Sequence, residues 1–291
     1  MTNRRFKEMP LKKVIEIRRS NRGYSSKEVS KDTIAVVEKV LNETKSPFGE
    51  SIRYKVISVI QDSQTPLKLG TYGIIKGAKH YMLSATELGP MKMESLGYQM
   101  EAAVLQATAM GIGTCWLGGT FNKGQFASAI GLKEKEMLPI VIPFGYPAEK
   151  DGLFGGLIRK VAGSNQRKPW EELFFEGKLN LKEGLGKPLT KQSAGAYQEV
   201  LDMVQMGPSA SNKQPWRIVK DGKQWHLVLS QTKGYASSLG YDIQRVDMGI
   251  AACHFEFAAQ ELGLEGSWQI LDLNTDEKRD DLSYVISWVE K

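Results

Sequence analysis

The spacing of apolar and polar residues along the chain predicts a succession of helices and strands. Apolar positions recur at helical intervals in Leu11–Arg18, Val36–Leu41 and Tyr197–Val204, which predicts amphipathic helices. Short runs rich in β-branched and aromatic residues follow the second and third of these helices, at Tyr54–Ile60 and Trp216–Val219, and predict strands. The order helix, loop, strand therefore occurs twice.

Two further strands are predicted from local signals. Asp221-Gly222 is a typical hairpin turn, and it connects Trp216–Val219 to a second strand at Trp225–Leu229. The apolar run Leu138–Phe144 predicts a central strand. We expect its prolines at the strand ends, where a missing N–H is tolerated.

A longer match divides the chain into two similar halves. Two Ala-rich segments predict long helices, and each helix starts near a glycine, ends at a second glycine and is followed by a tryptophan. The second glycine suits a helix C-terminus, where a left-handed residue is common. The equivalent positions are equally spaced in the two segments: Gly97 and Gly249, Gly111 and Gly263, Trp116 and Trp268.

Chance similarity between Ala-rich helices would explain one such match, but two matching blocks in the same order favour an internal duplication. We therefore predict an α+β fold made of two similar halves, residues 1–176 and 193–291. The join is placed at 177–192, because this stretch is rich in Gly and Lys and lacks a clear hydrophobic period.

Length and composition indicate an ordinary soluble protein. The 291 residues are 41% hydrophobic and 25% charged, enough for one large domain or two of average size. No apolar run is long enough to cross a bilayer, and no apolar segment of a secretory signal follows the basic N-terminus. The two cysteines, Cys115 and Cys253, lie in apolar stretches, so we expect a reducing cytoplasm and no disulfide framework.

The formal net charge of +6 raises the question of nucleic-acid binding. Lys and Arg are interleaved with Asp and Glu along the chain, and neither zinc-ligand spacing nor a basic-aromatic stacking pattern is present. A solvated surface is therefore the favoured interpretation, and no nucleic-acid partner is expected. A moderate positive field would also attract phosphate-bearing cofactors.

Three segments carry polar or glycine patterns that the repeat does not explain. Arg18–Arg22 combines guanidinium forks with a serine hydroxyl, a donor set that suits phosphate oxygens. Gly207–Trp216 is a rigid polar loop that offers backbone N–H groups, hydroxyls and an amide. Gly113–Phe121 contains paired glycines that let the backbone approach a flat ligand. Taken singly, each has an ordinary explanation as a solvated helix end, a turn or a loop bend.

In this order, the three segments resemble the FMN-dependent nitroreductase superfamily, and the doubled layout resembles its tandem, single-chain members. The resemblance covers nearly the whole chain, and the proline-rich loop is its most specific part. The segments that match the family pattern are Arg18–Arg22, Gly111–Gly119, Gly145-Tyr146-Pro147, Arg167-Lys168-Pro169 and Pro208–Trp216.

The resemblance implies a nitroreductase-like fold in which the two halves imitate a dimer within one chain, so a monomer is expected. In the family, FMN lies between two subunits, whose contributions fall here in opposite halves. The first half keeps Arg18–Arg22, but its loop Ser46–Ser51 lacks the Asn and the Gln-Pro-Trp. The second half keeps the loop at Pro208 but has no Arg-Arg-Ser segment before Tyr197. These complementary losses predict one composite FMN site.

The resemblance also implies residue roles. Arg18, Ser20 and Arg167 would hold the phosphate, and Arg22 would reach the pyrimidine side of the flavin and raise its potential. The remaining predicted contacts are Arg19, Gly118, Gly119, Pro208, Ser209, Ala210 and Asn212. The implied reaction is a ping-pong transfer from NAD(P)H through FMN to a small nitroaromatic or quinone-like acceptor, and it needs no protein nucleophile.

Other interpretations stay open at this point. The protein could bind a flavin without turnover, for storage, sensing or partner interaction, or be a scaffold that has lost its cofactor. The family's polar contacts near the ring are reduced in Gly70–Ala78, where Lys76 is interpreted as a surface residue. His80, His226 and His254 lie in apolar contexts and are interpreted as structural, and no metal site is expected.

Overall fold

The chain divides into two compact units in its computed structural model. The first unit is Ile17–Gly163, and the second unit consists of Met1–Glu16 with Ser164–Lys291. The structure describes residues 6, 9–59, 69–149, 166–235, 239–273 and 279–291. Each unit is considered by itself below.

Both units contain helices and strands that are mixed along the chain. The helices in chain order are α1 (Leu11–Ile17), α2 (Lys31–Glu43), α3 (Lys92–Ala109), α4 (Lys123–Ile130), α5 (Trp170–Leu173), α6 (Lys191–Ala194), α7 (Gln198–Gln205) and α8 (Ile243–Glu261). The strands are β1 (Arg53–Ser58), β2 (His80–Ala85), β3 (Gly113–Thr114), β4 (Val141–Gly145), β5 (Phe174–Glu176), β6 (Lys187–Pro188), β7 (Trp216–Asp221), β8 (Gln224–Ser230), β9 (Gly266–Gln269) and β10 (Leu282–Glu290). Short 3₁₀ turns occur at Gly195–Tyr197 and Ala210–Asn212.

The two sheets confirm the predicted duplication and the α+β class. The sheet of the first unit has the order β1-β2-β4-β3, and that of the second has the order β6-β5-β7-β8-β10-β9. In both units, the first strand of the repeat pairs antiparallel with the second, the second with the fourth, and the fourth with the third. The second unit adds β5 in parallel beside β7, and β6 beside β5.

The long helices α3 and α8 occupy the same place in the two repeats. Both are buried along nearly their whole length, as expected for helices that are apolar on most sides. Asp242 caps α8 by accepting a hydrogen bond from Gln244 N, at 3.0 Å. Gly111 and Gly263 follow the two helices with φ of 74° and 72°, which confirms the expected left-handed helix ends.

Each unit has its own core. In the first unit, Phe126 packs edge-on against Tyr81 and Phe121, beneath the strands. In the second unit, Phe255 of α8 lies among three aromatic rings of the sheet and the α7 region, with centroid separations of 5.2 Å to Trp268, 5.7 Å to Trp288 and 5.8 Å to Tyr197. Aromatic burial therefore fixes α8 on the sheet of its own unit.

The local strand predictions hold with one correction. The hairpin at Asp221-Gly222 forms as predicted, between β7 and β8. Pro143, however, lies inside β4 and pairs with Tyr81 of β2, although we expected it at a strand end. The pairing of β4 with its other neighbour is interrupted at this point, between Phe144 and Val141, so no N–H of residue 143 is needed on that side.

The segment 177–192 is part of the second unit. Lys187 and Pro188 form β6 and pair with Glu176 and Phe175. The two compact units are defined by contacts between residues. The boundaries 1–176 and 193–291 instead describe where the two duplicated halves of the sequence join, and they stay a prediction. Among the helices that the structure describes, none combines the length and the hydropathy needed to cross a membrane.

Candidate functional site

The segment Arg18–Arg22, here called the arginine segment, is held as an extra extended strand in the first unit. Ser20 forms a parallel bridge with Thr114 of β3, and Asn21 N donates to Thr114 O at 2.8 Å. On the other side, Lys76 N donates to Arg22 O, also at 2.8 Å. Backbone pairing on both sides therefore fixes the direction of the arginine side chains.

Arg18 is the most buried residue of this segment, with 8% of its surface exposed. Burial lowers the pKa of its guanidinium from the ordinary value, and the carboxylate of Glu101 opposes that shift. Its Nε is shielded from solvent and has no hydrogen-bond partner within the described residues. Arg19 is exposed, and its Nη1 donates to Arg18 O at 3.0 Å.

Arg22 has the largest unused donor capacity in the segment. Two of its nitrogens, Nε and Nη1, are shielded from solvent, and neither finds an acceptor among the residues described. Buried donors without acceptors are uncommon because each one loses its hydrogen bonds to water. This cation is therefore suited to an oxygen-rich, electron-rich ligand group.

Glu101 of α3 supports the arginine segment from within the first unit. It is fully buried and accepts a hydrogen bond from Trp116 Nε1 at 3.1 Å. The same carboxylate stabilises the charge of Arg18. Buried carboxylates are rare unless they are paired, so Glu101 links the helix, the arginine segment and the turn after β3.

The glycines of the first unit have different tasks. A Cβ on Gly113 would lie 2.6 Å from Asn21 Nδ2 and 2.9 Å from Pro147 Cγ, so only glycine allows the arginine segment to approach β3 so closely. Gly118 is half-buried and Gly119 is exposed. They follow Leu117, which exchanges two backbone hydrogen bonds of 3.0 Å with Val141 at the start of β4.

In the second unit, the predicted residues Arg167 and Asn212 meet directly. Arg167 Nη1 donates to Asn212 Oδ1, and Arg167 Nη2 donates to Met206 O, both at 3.1 Å. Asn212 Nδ2 in turn donates to Gln166 O at 2.8 Å. Arg167 therefore connects the side chain of Asn212 to the backbone at Met206.

The segment Pro208–Gln214, here called the proline loop, is braced by its own polar groups. Ser209 Oγ accepts from Gln214 N at 2.9 Å, and Ala210 N donates to Asp247 Oδ1 of α8 at 3.0 Å. Ser211, Asn212 and Gln214 have left-handed backbones, with φ between 46° and 54°. A non-glycine residue with a left-handed backbone is strained, so these hydrogen bonds are needed to hold the loop. Pro208, Ser209 and Ala210 are half-buried.

Three residues that organise these segments were not among the predicted site residues: Glu101, Gln214 and Asp247. Gln214 is buried, and its Oε1 accepts from Lys168 N at 2.8 Å. Glu101 and Asp247 are charged residues within long buried helices, and that contrast was the available signal. Which groups they reach depends on contacts that are distant in sequence.

Each of the three histidines has a neighbouring polar atom close to its Nδ1. Nδ1 of His80 lies 2.8 Å from Ser58 Oγ, that of His226 lies 2.7 Å from Ser287 Oγ, and that of His254 lies 3.0 Å from Met203 O. Burial lowers the pKa of His80 and of His226. Lys76 is exposed, as predicted. Within the part of the chain that the structure describes, no cluster of three His, Cys, Asp or Glu side chains is placed to hold a metal.

Comparison with known proteins gives a family match over most of the chain. A family model described as "Putative TM nitroreductase" matches residues 10–259. Among solved structures, a "putative nitroreductase" from Thermotoga maritima is similar with a TM-score of 0.60 and 20% identity, over 97% of this chain and 94% of that one. At this identity the likeness supports the fold alone.

Shorter relatives cover about half of the chain. An FMN-dependent nitroreductase from Clostridium difficile aligns over 47% of this chain and 88% of its own, with 21% identity and a TM-score of 0.39. A "putative nitroreductase" from Desulfovibrio desulfuricans, solved in complex with FMN, aligns over 49% and 88%, with 23% identity and a TM-score of 0.37. No curated protein matches the sequence.

Proposed function

We propose that this chain, which belongs to the nitroreductase family matched over residues 10–259, is an oxidoreductase that binds FMN and uses NAD(P)H to reduce a small electron-poor acceptor. Family membership supports an oxidoreductase activity. FMN, NAD(P)H and an acceptor of nitroaromatic or quinone type are the proposed components. A cytoplasmic location and a monomeric state belong to the same proposal.

The observation that carries this proposal is the pair of buried, unused nitrogens on Arg22. A buried donor without an acceptor costs about 1–3 kcal/mol, so a fold that keeps two of them is suited to a ligand that supplies acceptors. The pyrimidine side of a flavin presents carbonyl oxygens and carries negative charge after reduction. The donor set of Arg22 therefore fits that ring edge, and its backbone pairing with Lys76 holds it in one orientation.

The phosphate end of FMN is assigned to Arg18 and Ser20, with exposed Arg19 nearby in sequence. Arg18 has one buried nitrogen without a partner within the described residues. Guanidinium and hydroxyl donors form strong, charge-assisted hydrogen bonds to phosphate. Arg167 contributes through its charge, because its Nη1 and Nη2 already hold the proline loop.

Backbone groups are proposed to meet the flavin ring itself. Gly118 and Gly119 have no side chains of their own, so a flat ligand can approach their backbone closely. The proline loop contributes Pro208, Ser209, Ala210 and Asn212 from the second half of the sequence. That both halves serve one flavin rests on their complementary motifs, since each half lacks the set that the other retains.

When bound, FMN supplies hydride and electron transfer, which no side chain of the protein can perform. The chain's own tasks are to bind and orient the cofactor and to stabilise its negative charge through Arg22. A cation at that position favours the reduced flavin electrostatically. No protein nucleophile is required.

An anaerobic spectral titration tests this function. The FMN-loaded protein should be yellow, bleach on addition of NADH or NADPH, and recover its colour with a nitroaromatic compound or a quinone. A protein that binds FMN but is not reduced by either nucleotide would instead be a flavin-binding protein without turnover. A protein that takes up no FMN would contradict the proposal altogether.

A further inference from the structure

Asp247 is a buried carboxyl group that the proposed function does not yet use. It lies on α8, and only 2% of its surface is exposed. Its Oδ1 accepts the N–H of Ala210, at 3.0 Å, from the middle of the proline loop. Its Oδ2 is also shielded from solvent and has no hydrogen-bond partner among the described residues. One half of the carboxyl group is therefore committed to the loop, and the other half is unused.

The loop that Asp247 touches is under backbone strain. Ser211 and Asn212, which directly follow Ala210, and Gln214 all have left-handed backbones. Residues of this kind cost free energy and persist only where surrounding contacts impose them. Arg167 holds the loop through Asn212, and Tyr235 holds it through a hydrogen bond of 2.6 Å to Ser211 Oγ. Asp247 is the brace from the helix side.

Resting on the proposed function, we propose that Asp247 is a positioning residue: it holds the Ala210 N–H and thereby fixes Ser209–Asn212 in the conformation that binds FMN. It acts through the loop and is not assigned contact with the flavin. The same carboxyl makes the loop, and hence FMN affinity, dependent on pH.

The groups that act on Asp247 support a neutral, protonated side chain. Burial raises its pKa well above the usual range, and the nearby carboxylate of Asp242 raises it further, whereas the Ala210 N–H lowers it. The phenols Tyr235 and Tyr241 also interact with this carboxyl electrostatically. Lys213 lies farther out, with its Nζ 5.8 Å from the centroid of the Tyr235 ring.

The direction of the pH effect follows from that raised pKa. The stabilising contribution of a protonated Asp247 is complete below the ordinary pKa of an aspartate and is lost as the pH rises through the folded-state value. Above it, the charged carboxylate must acquire water or leave its place, which releases the loop. FMN affinity should therefore fall as the pH rises above the ordinary range of an aspartate and through the raised folded-state pKa.

The first half of the chain provides an internal comparison. Ser95 of α3 occupies the position equivalent to Asp247, two residues before the glycine that the repeats share. Its Oγ donates to Ser46 Oγ at 3.0 Å, in the loop that has lost the flavin motif. Both long helices thus brace the loop of their own unit from the same position, and only the second brace carries an ionisable group.

The test compares Asp247→Asn and Asp247→Ala, with Ser95→Ala as the matched control. Asparagine retains an oxygen for the Ala210 N–H but cannot ionise, so FMN affinity should stay within about threefold of that of wild type with protonated Asp247, and it should no longer fall as the pH rises. Alanine removes the acceptor, so affinity should fall about tenfold, the effect of one lost hydrogen bond. Ser95→Ala should bind FMN normally.

Hydrogen exchange at the Ala210 amide, measured without flavin, separates this inference from the proposed function. Exchange should be faster in Asp247→Ala than in wild type and near wild type in Asp247→Asn. If wild type binds FMN while Asp247→Ala retains both affinity and amide protection, the positioning role is wrong and the function stands. If wild type binds no FMN but the amide is deprotected in Asp247→Ala, the function is wrong and the brace stands. If Asp247→Ala does not fold, a wild-type pH profile in Asp247→Asn overturns the role.

Discussion

The two units share the order of their four repeated strands but differ in the charged residues of their long helices. In the first unit, Glu101 lies four residues after the shared glycine of α3, accepts from Trp116 and stabilises Arg18. In the second unit, the equivalent residue is the buried Cys253. The indole Nε1 of the equivalent Trp268 is buried and has no hydrogen-bond partner within the described residues.

The difference shows that a buried charge and its partner were kept or lost together. The half that retains the arginine segment also retains the carboxylate that supports it. The half that lacks the segment has a neutral residue there, and Trp268 packs among aromatic rings, 5.2 Å from Phe255 and 5.6 Å from Trp288. The repeated strands thus form with either residue at this helix position.

The loops after α2 and α7 also differ, and here it is the second unit that has the more strongly constrained structure. In the first unit, Phe48 N donates to Ser46 Oγ at 3.2 Å, and the turn ends at Gly49, whose φ is 74°. In the second unit, the proline loop has three left-handed non-glycine residues and needs side chains from Arg167 and Asp247 to hold it. Strain retained in only one of two related loops indicates that this loop has a function.

The largest effect is expected when the first unit is given the residue of the second. Glu101→Cys leaves the buried Arg18 without the carboxylate that opposes the lowering of its pKa, so the free energy of unfolding should fall by about 1–3 kcal/mol, the cost of a buried polar group left uncompensated. Denaturant unfolding measures this loss. The double variant Arg18→Met with Glu101→Cys should recover most of it, since no buried charge then remains. Equal stabilities of Glu101→Cys and wild type would show that the two charges are not coupled.

The fold of each unit was predictable from sequence because its signals are local. Hydrophobic period, the Asp221-Gly222 turn and the glycines after α3 and α8 each depend on a few neighbouring residues. The coupling of Arg18 to Glu101 was not predictable, because it depends on contacts between residues far apart in sequence. For the same reason the sequence does not predict β5, because this strand pairs in parallel with β7, more than forty residues away along the chain.

The sequence predicts which residues form the candidate site but not the contacts that those residues make. The motifs indicated that Arg167 and Asn212 belong to one site, and the structure brings them together. It also commits their side chains to bracing the loop, which no spacing could indicate. Asp247 was missed because a single acidic residue in an apolar helix does not reveal which backbone group it reaches.

The second-largest effect is expected for the two residues that are proposed to bind the phosphate of FMN. Arg18→Ala with Ser20→Ala removes a charged and a neutral donor, so FMN affinity should fall about a hundredfold. Fluorescence quenching of added FMN measures the affinity. Lys39→Ala, which removes an exposed cation of α2, controls for the general loss of charge. Near-normal affinity in the double variant would remove these residues from the site.

A smaller effect is expected for Arg22, which is proposed to contact the flavin ring. Arg22→Gln keeps a polar side chain but loses the cation, so FMN affinity should fall about tenfold. The reduction potential of the bound flavin should also fall, because the anionic reduced form loses its counter-charge. Spectroelectrochemical titration measures that potential. Lys76→Ala removes the exposed cation next to Arg22 in the backbone pairing and should change neither quantity.

The smallest effect is on the pH dependence of stability, which should differ between a carboxyl group of the first unit and one of the second. Arg53 holds the pKa of Glu136 down to about 2, through a hydrogen bond from its Nε to Oε1 at 2.9 Å. Because this pKa is lowered, the stability it contributes is present above the ordinary glutamate value and is lost as the pH falls towards about 2. Glu136→Gln should flatten the acid side of the stability profile alone. Asp247→Asn should instead remove the loss of stability that begins as the pH rises above the ordinary aspartate range, so an exchange of these two results would contradict the assignment.

The central proposal is that the chain binds a single FMN, and binding stoichiometry tests it most directly. Equilibrium dialysis of the purified protein against excess FMN, with protein concentration fixed by amino-acid analysis, counts the flavins per chain. We predict one FMN per chain, and its loss when Arg18 and Ser20 are both replaced by alanine. Two FMN per chain, or one that persists in that double variant, would contradict the account.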